Sequence, residues 1–245
     1  MNLAILLPPV LATGVALLFA ARLLRQWRGR RRDHALAWAL SLLLFAVASL
    51  AAGVGVGFGW SPTLFGVYWI AGALLNVPFL AVGQLLLMDR SRSLLWWTLA
   101  GLFTVWSLVF TATAPYDPAV LAHASATSTI PLGREVLSGS TTYALARPFS
   151  GTFVVVVAGS IWSAVRSGRP QVLLIALGVS VVAGSSSAVR VGNGEVFAAL
   201  LTVGVTIMYA GFLAASRPSR RDVPAGARQP ASTSVGTAGG QRTGA

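Results

Sequence analysis

Apolar residues recur through the first 215 positions in long runs nearly free of charge, broken by short clusters of Arg, Gly, Pro, Ser or Asp. Each run reaches the roughly 18 residues that a helix needs to cross a hydrocarbon layer of about 30 Å. None alternates with the period of two that marks a membrane barrel strand. The pattern predicts an all-α, polytopic membrane protein: a seven-transmembrane-helix bundle over residues 3–24, 35–57, 63–88, 93–114, 148–165, 171–189 and 196–215. Between the fourth and fifth runs lies a mixed-polarity loop, 115–147, the one sizeable segment expected outside the membrane. Residues 216–245, rich in Gly, Ala, Ser, Thr, Pro and Arg, hold too few apolar side chains to fold alone and are expected as a disordered cytoplasmic tail.

Charge sets the orientation. All 18 basic residues are arginines. With the N-terminus outside, the cytoplasmic side receives Arg22, Arg25, Arg28, Arg30, Arg31, Arg32, Arg90, Arg92, Arg166, Arg169 and the five arginines of the tail. Only Arg134, Arg147 and Arg190 are left outside, a strong positive-inside bias. The basic cluster follows the first run instead of preceding it, opposite to a secretory signal, so the first run is expected to remain as a helix. Trp27, Trp38, Trp96, Trp97 and Trp162 are expected as anchors at the inner interface, and Trp60, Tyr116 and Tyr143 at the outer. Setting the fourth run aside leaves two groups of three in one orientation, compatible with a weak 3+1+3 parallel repeat. Its residue support is thin, with Phe65 aligned on Phe197 and Gly72 on Gly204.

Composition then narrows the chemistry. Only 10% of residues are charged and 55% are hydrophobic, which calls for lipid as solvent. The exclusive use of Arg, with abundant Ala, Val, Gly and Leu, is the codon signature of a high-GC genome and points to a bacterial inner (plasma) membrane. A formal net charge of +12 could suit nucleic acid, but the arginines flank apolar runs, where anionic lipid headgroups are the expected partner. The topology resembles that of microbial rhodopsins and of small sugar-transporting 3+1+3 proteins, with no residue motif behind the likeness. A retinal Schiff base is excluded because there is no Lys. A bis-His haem in the bundle is not expected, since His34 and His123 lie at or beyond the interfaces. No cofactor or metal is predicted: there is no Cys, and Asp117 with His123 falls short of the usual three ligands. The six acids sit in loops, in the tail or at helix ends, so no midplane charge marks a proton or ion path.

What remains is uncharged. Asn76 lies near the middle of the third run, two residues before Pro78, where a lost backbone bond and a polar amide make a kink. The face carrying Trp69, Gly72, Asn76, Phe79, Leu80 and Gly83, flanked by Tyr68 and Gln84, is expected to point inward. With Ser180 of the sixth run and Thr202, Thr206 and Tyr209 of the seventh, it gives a candidate ligand pocket of Tyr68, Trp69, Asn76, Ser180, Thr202, Thr206 and Tyr209. Ala176, Ser180, Gly184 and Ala188 recur every fourth position as a small-residue packing stripe. A candidate external mouth comprises Arg134, Glu135, Arg147, Arg190 and Glu195, with Ile130–Gly133 a turn that docks inward and Arg190 with Glu195 a fastening pair. The leading functional expectation is binding or transport of a small neutral or lipidic molecule through an outward-facing pocket. A second is a non-catalytic accessory subunit packed on another membrane protein. A third, an intramembrane enzyme acting on lipids, lacks any visible acid, base or metal set.

Overall fold

The computed structural model describes residues 3–137, 143, 147–167, 173–190 and 194–216. The expected tail falls outside them, apart from Ser216. The described residues are mostly helical, with no strand among them. In order come α1 (Leu3–Arg30), α2 (Asp33–Phe58), α3 (Pro62–Tyr68), a π-helical segment (Trp69–Leu75), α4 (Asn76–Met88), a 3₁₀ turn (Arg90–Arg92), α5 (Ser93–Ala112), α6 (Pro118–Ala126), α7 (Gly133–Val136), α8 (Arg147–Ser167), α9 (Leu173–Arg190) and α10 (Gly194–Ser216). Among the described residues four helical stretches are long and apolar enough to cross a membrane: Pro9–Arg30, Asp33–Phe58, Pro62–Met88 and Arg90–Ala112. Shorter apolar stretches follow at Gly151–Arg166, Leu173–Val182 and Ala199–Gly211.

Local chemistry explains the boundaries. α1 runs past the end of its apolar stretch at residue 24, so the arginines up to Arg30 are helical. Its 28 residues span roughly 42 Å, and the basic turns project beyond a hydrocarbon layer of about 30 Å. α2 stops at Gly59, whose φ of 98° suits a residue without Cβ. Pro62 opens α3 at a position where its missing N–H costs nothing, and the Ser61 hydroxyl accepts from Leu64 N at 3.1 Å. Asp117 caps α6 in the same way, accepting from Ala119 N at 2.8 Å.

Pro78 explains the π segment. Within an α-helix the proline ring would press on the carbonyl four residues back. The wider π turns just before it relieve that contact and insert an extra residue into the register. The face expected at α-helical spacing is therefore split. Trp69 and Gly72 within the segment, and Asn76 and Leu80 after it, still line the bundle interior, while Phe79 leaves that face and packs beside Trp96 and Trp97 in a separate cluster.

Two further clusters hold the bundle. Phe19, Leu23, Leu42, Leu80, Val156, Val179 and Met208 join α1, α2, α4, α8, α9 and α10. Trp60, Phe65, Leu74, Phe110, Leu121, Val136 and Leu137 join the opposite ends of α2, α3 and α5 to α6 and α7. Segment 115–137 is thus folded onto the helices. Trp60 is its anchor: the backbone N–H donates to Ser125 Oγ at 2.7 Å and the indole Nε1 donates to Thr129 O at 2.9 Å. Trp60, expected as an interfacial anchor, is only 7% exposed. At the other end, Arg90 reaches the Arg31 carbonyl at 3.4 Å, so the α1–α2 and α4–α5 turns meet.

The small-residue contact falls elsewhere than expected. Ser180 and Gly184 face outward, whereas Gly178 of α9 meets Gly204 of α10. A Cβ on Gly178 would stand 2.5 Å from the Gly204 carbonyl oxygen, and one on Gly204 2.9 Å from the Gly178 carbonyl oxygen. Lipid tails are as apolar as the side chains they replace, so such close backbone approach is a main source of association.

Candidate functional site

A cavity of about 500 Å³ lies between α2, the π segment, the start of α4, and α8 to α10, with Pro131, Leu132 and Gly133 at one end. Its size falls within the range of ligand pockets, roughly 300–1,000 Å³. On α2 it extends from Leu42 to Ala52, roughly 15 Å of helix. The wall is largely aliphatic and aromatic. Ser49, Tyr68, Trp69, Asn76, Tyr143 and Ser185 supply its polar side chains, and no charged side chain is among the described residues that line it.

Asn76 is 6% exposed and Ser41 of α2 is fully buried beside it. Ser41 Oγ lies 2.8 Å from the Asn76 carbonyl oxygen and 2.6 Å from the side-chain amide. One serine therefore holds both polar groups of Asn76. Ser49, two turns further along α2, is 4% exposed and lines the cavity. Ser185 is fully buried and its hydroxyl donates to Val182 O at 2.6 Å.

The end of the cavity at Gly133 is aromatic. Trp69 stacks on Phe65 at 5.8 Å and stands 6.3 Å from Tyr143. Gly133 lies flat against the Trp69 indole, and any side chain there would overlap it. The Ile130–Gly133 turn does dock inward, as expected, and Pro131 is buried.

Of the candidate pocket residues, Tyr68, Trp69 and Asn76 line the cavity. Ser180, Thr202, Thr206 and Tyr209 do not. α9 and α10 contribute instead through Val179, Val182, Leu201, Val205 and Met208, one or two positions away, and through Ser185. The reason is local: Ser180 donates to Ala176 O at 2.8 Å and Thr206 to Thr202 O at 2.7 Å, so these hydroxyls are satisfied on their own helices while exposed. Tyr209 packs on Phe19 at 5.2 Å. The α2 wall was missed, because its Leu, Phe, Ala and Ser offer no conspicuous polar signal.

Among the mouth residues, Arg134 and Glu135 form an exposed pair at 3.6 Å on α7, turned away while Leu132 and Gly133 face the cavity. The backbones of Arg147, Arg190 and Glu195 open α8, close α9 and open α10; their side chains, and so the expected Arg190–Glu195 pair, lie outside the described residues. Asp117, considered with His123 for metal, spends its carboxylate on the α6 cap. No cluster of metal-ligating side chains occurs among the described residues. No protein family, curated protein or solved structure matches the chain.

Proposed function

We propose that the chain is a seven-span protein of a bacterial inner membrane, N-terminus outside and tail in the cytoplasm, whose interior binds or passes a small neutral or lipidic molecule from the outer side. The uncharged cavity of about 500 Å³, roofed by Pro131–Gly133, carries this reading. An apolar wall with a few polar groups suits a neutral ligand, and a site without charge gives an ion nothing to offset its desolvation. The meeting of the two arginine-bearing turns at one end, with Trp60 and the folded 115–137 segment at the other, is what the positive-inside assignment requires.

The test is native mass spectrometry of the gently solubilised full chain with analysis of its organic extract. A neutral small molecule retained in stoichiometric amount supports the pocket. A second membrane protein retained with no small molecule would instead favour the accessory-subunit reading.

A further inference from the structure

The side chains of the cavity wall narrow the class of ligand, taking the pocket reading above as the starting point. Two of them carry hydrogens that meet no acceptor among the described residues. Trp69 lines the wall, and its indole Nε1 is buried without a hydrogen-bond partner. An indole nitrogen only donates. Buried indole N–H groups ordinarily find an acceptor, so a ligand that brings one makes a bond that the protein leaves unmade.

Asn76 is the second, and it too lines the cavity. Its amide nitrogen carries two hydrogens, and its side chain bonds only Ser41 among the described residues. As the amide stands, Oδ1 faces Ser41 Oγ at 2.6 Å and both hydrogens are unused. Turned end for end, Nδ2 donates one hydrogen to Ser41, the other stays unused, and Oδ1 is released as an acceptor. In either arrangement at least one Asn76 N–H is left over. The hydroxyls of Ser49, Tyr68 and Tyr143 on the same wall donate or accept as required, and Ser185 is bonded to its own helix. The indole and the amide therefore decide the sign: together they offer at least two hydrogens against at most one oxygen.

We infer that the cavity holds an uncharged lipid bearing a carbonyl, of the ketone or ester type, whose oxygen accepts from this wall while its alkyl chain lies along the aliphatic side chains of α2, α9 and α10. A carbonyl oxygen has two lone pairs and no hydrogen, so it complements groups that only donate. Both donors belong to the third span, Trp69 within the π segment and Asn76 directly after it, so the polar stripe lies along one side of an otherwise apolar space. An anion would accept from the same hydrogens, but no basic side chain on the described wall offsets the cost of desolvating it.

The experiment measures saturable binding of three probes of one shape to the full chain in detergent micelles, each referred to its concentration in the micelle. They are methyl nonyl ketone, the alkene in which a methylene replaces its carbonyl oxygen, and the secondary alcohol formed by its reduction. The ketone should bind roughly tenfold more tightly than the alkene, the scale of one neutral hydrogen bond. Trp69→Phe, which keeps a ring and removes the donor, or Asn76→Leu should narrow that gap. The wild-type comparison stands even where a variant fails to fold. Equal binding of ketone and alkene overturns this inference and leaves the pocket in place. So does an alcohol bound more tightly than the ketone, or a gap that both variants leave intact. No saturable binding of any of the three overturns the pocket reading and this inference together.

Discussion

Ser41 of α2 lies 2.8 Å from the main-chain carbonyl and 2.6 Å from the side-chain amide of Asn76, so a single hydroxyl fastens the second helix to the kinked third span. Both residues are buried, and neither polar group has water to turn to. Ser41→Ala should therefore lower stability by about 1–2 kcal/mol, at the upper end for hydrogen bonds in membrane bundles. Reversible unfolding in mixed micelles measures it. A neutral effect would mean that the kink does not depend on this tie.

The roof of the cavity depends on Gly133 having no side chain. Gly133→Val should displace either the Trp69 indole or α7, at the roughly 1–3 kcal/mol typical of overpacking, and open the 115–137 segment to protease. Trp60→Phe, which deletes the Nε1 bond to Thr129, should raise cleavage in the same segment with a smaller loss of about 1 kcal/mol. Limited proteolysis followed by mass spectrometry reads both.

The contact between α9 and α10 separates two kinds of glycine. Gly178→Leu and Gly204→Leu each place a side chain into the facing backbone and should destabilise by about 2 kcal/mol or more. Gly184→Ala meets nothing within 4 Å and should stay within about 0.5 kcal/mol of wild type. Comparable losses at Gly178 and Gly184 would contradict this packing.

At the short turn between α4 and α5, the Asp89 carboxyl is held below the ordinary carboxylate range, chiefly by the hydrogen bond from the Ser91 side chain. A depressed folded-state pKa stabilises above the unfolded value, and the contribution is lost as pH falls through the folded one. Ser91→Ala should move the Asp89 titration upward, as read by carboxyl NMR, while the melting temperature at neutral pH barely changes because the group is exposed. An unmoved titration would remove Ser91 as the cause.

Much of the fold could be read from the chain because lipid imposes a simple rule: a charge-free run must satisfy its own backbone, and a helix does so. A disturbed helix at Asn76–Pro78 and the inward docking of residues 130–133 were legible for similar reasons, through a lost amide hydrogen and a buried polar group. Ser180 and Thr206 misled because a hydroxyl can bond the carbonyl four residues back, and so tells nothing about which way it faces. The π insertion was invisible as well. Its extra residue shifts the register between Gly72 and Phe79, and only coordinates reveal where a helix takes up such a shift. Trp60 has the composition of an interfacial anchor and the partners of a core residue, a distinction set by the segment folded over it.

Orientation has its own test. A reporter fused after Arg221 should behave as cytoplasmic and one inserted near Ser125 as external, because most arginines are expected on the inner side. An external C-terminus would contradict the seven-span arrangement and leave the four longest spans as the starting point.

The central claim is that the cavity beside Asn76 is a binding site, and filling it is the most direct trial. Ala73 lines the cavity on the π segment, so Ala73→Trp should occupy the space without touching the Ser41–Asn76 tie. Native mass spectrometry of wild type and Ala73→Trp, purified side by side, should show a neutral molecule bound to the first and absent from the folded second. A wild-type protein that carries nothing, or a variant that retains the molecule at full occupancy, would contradict the account.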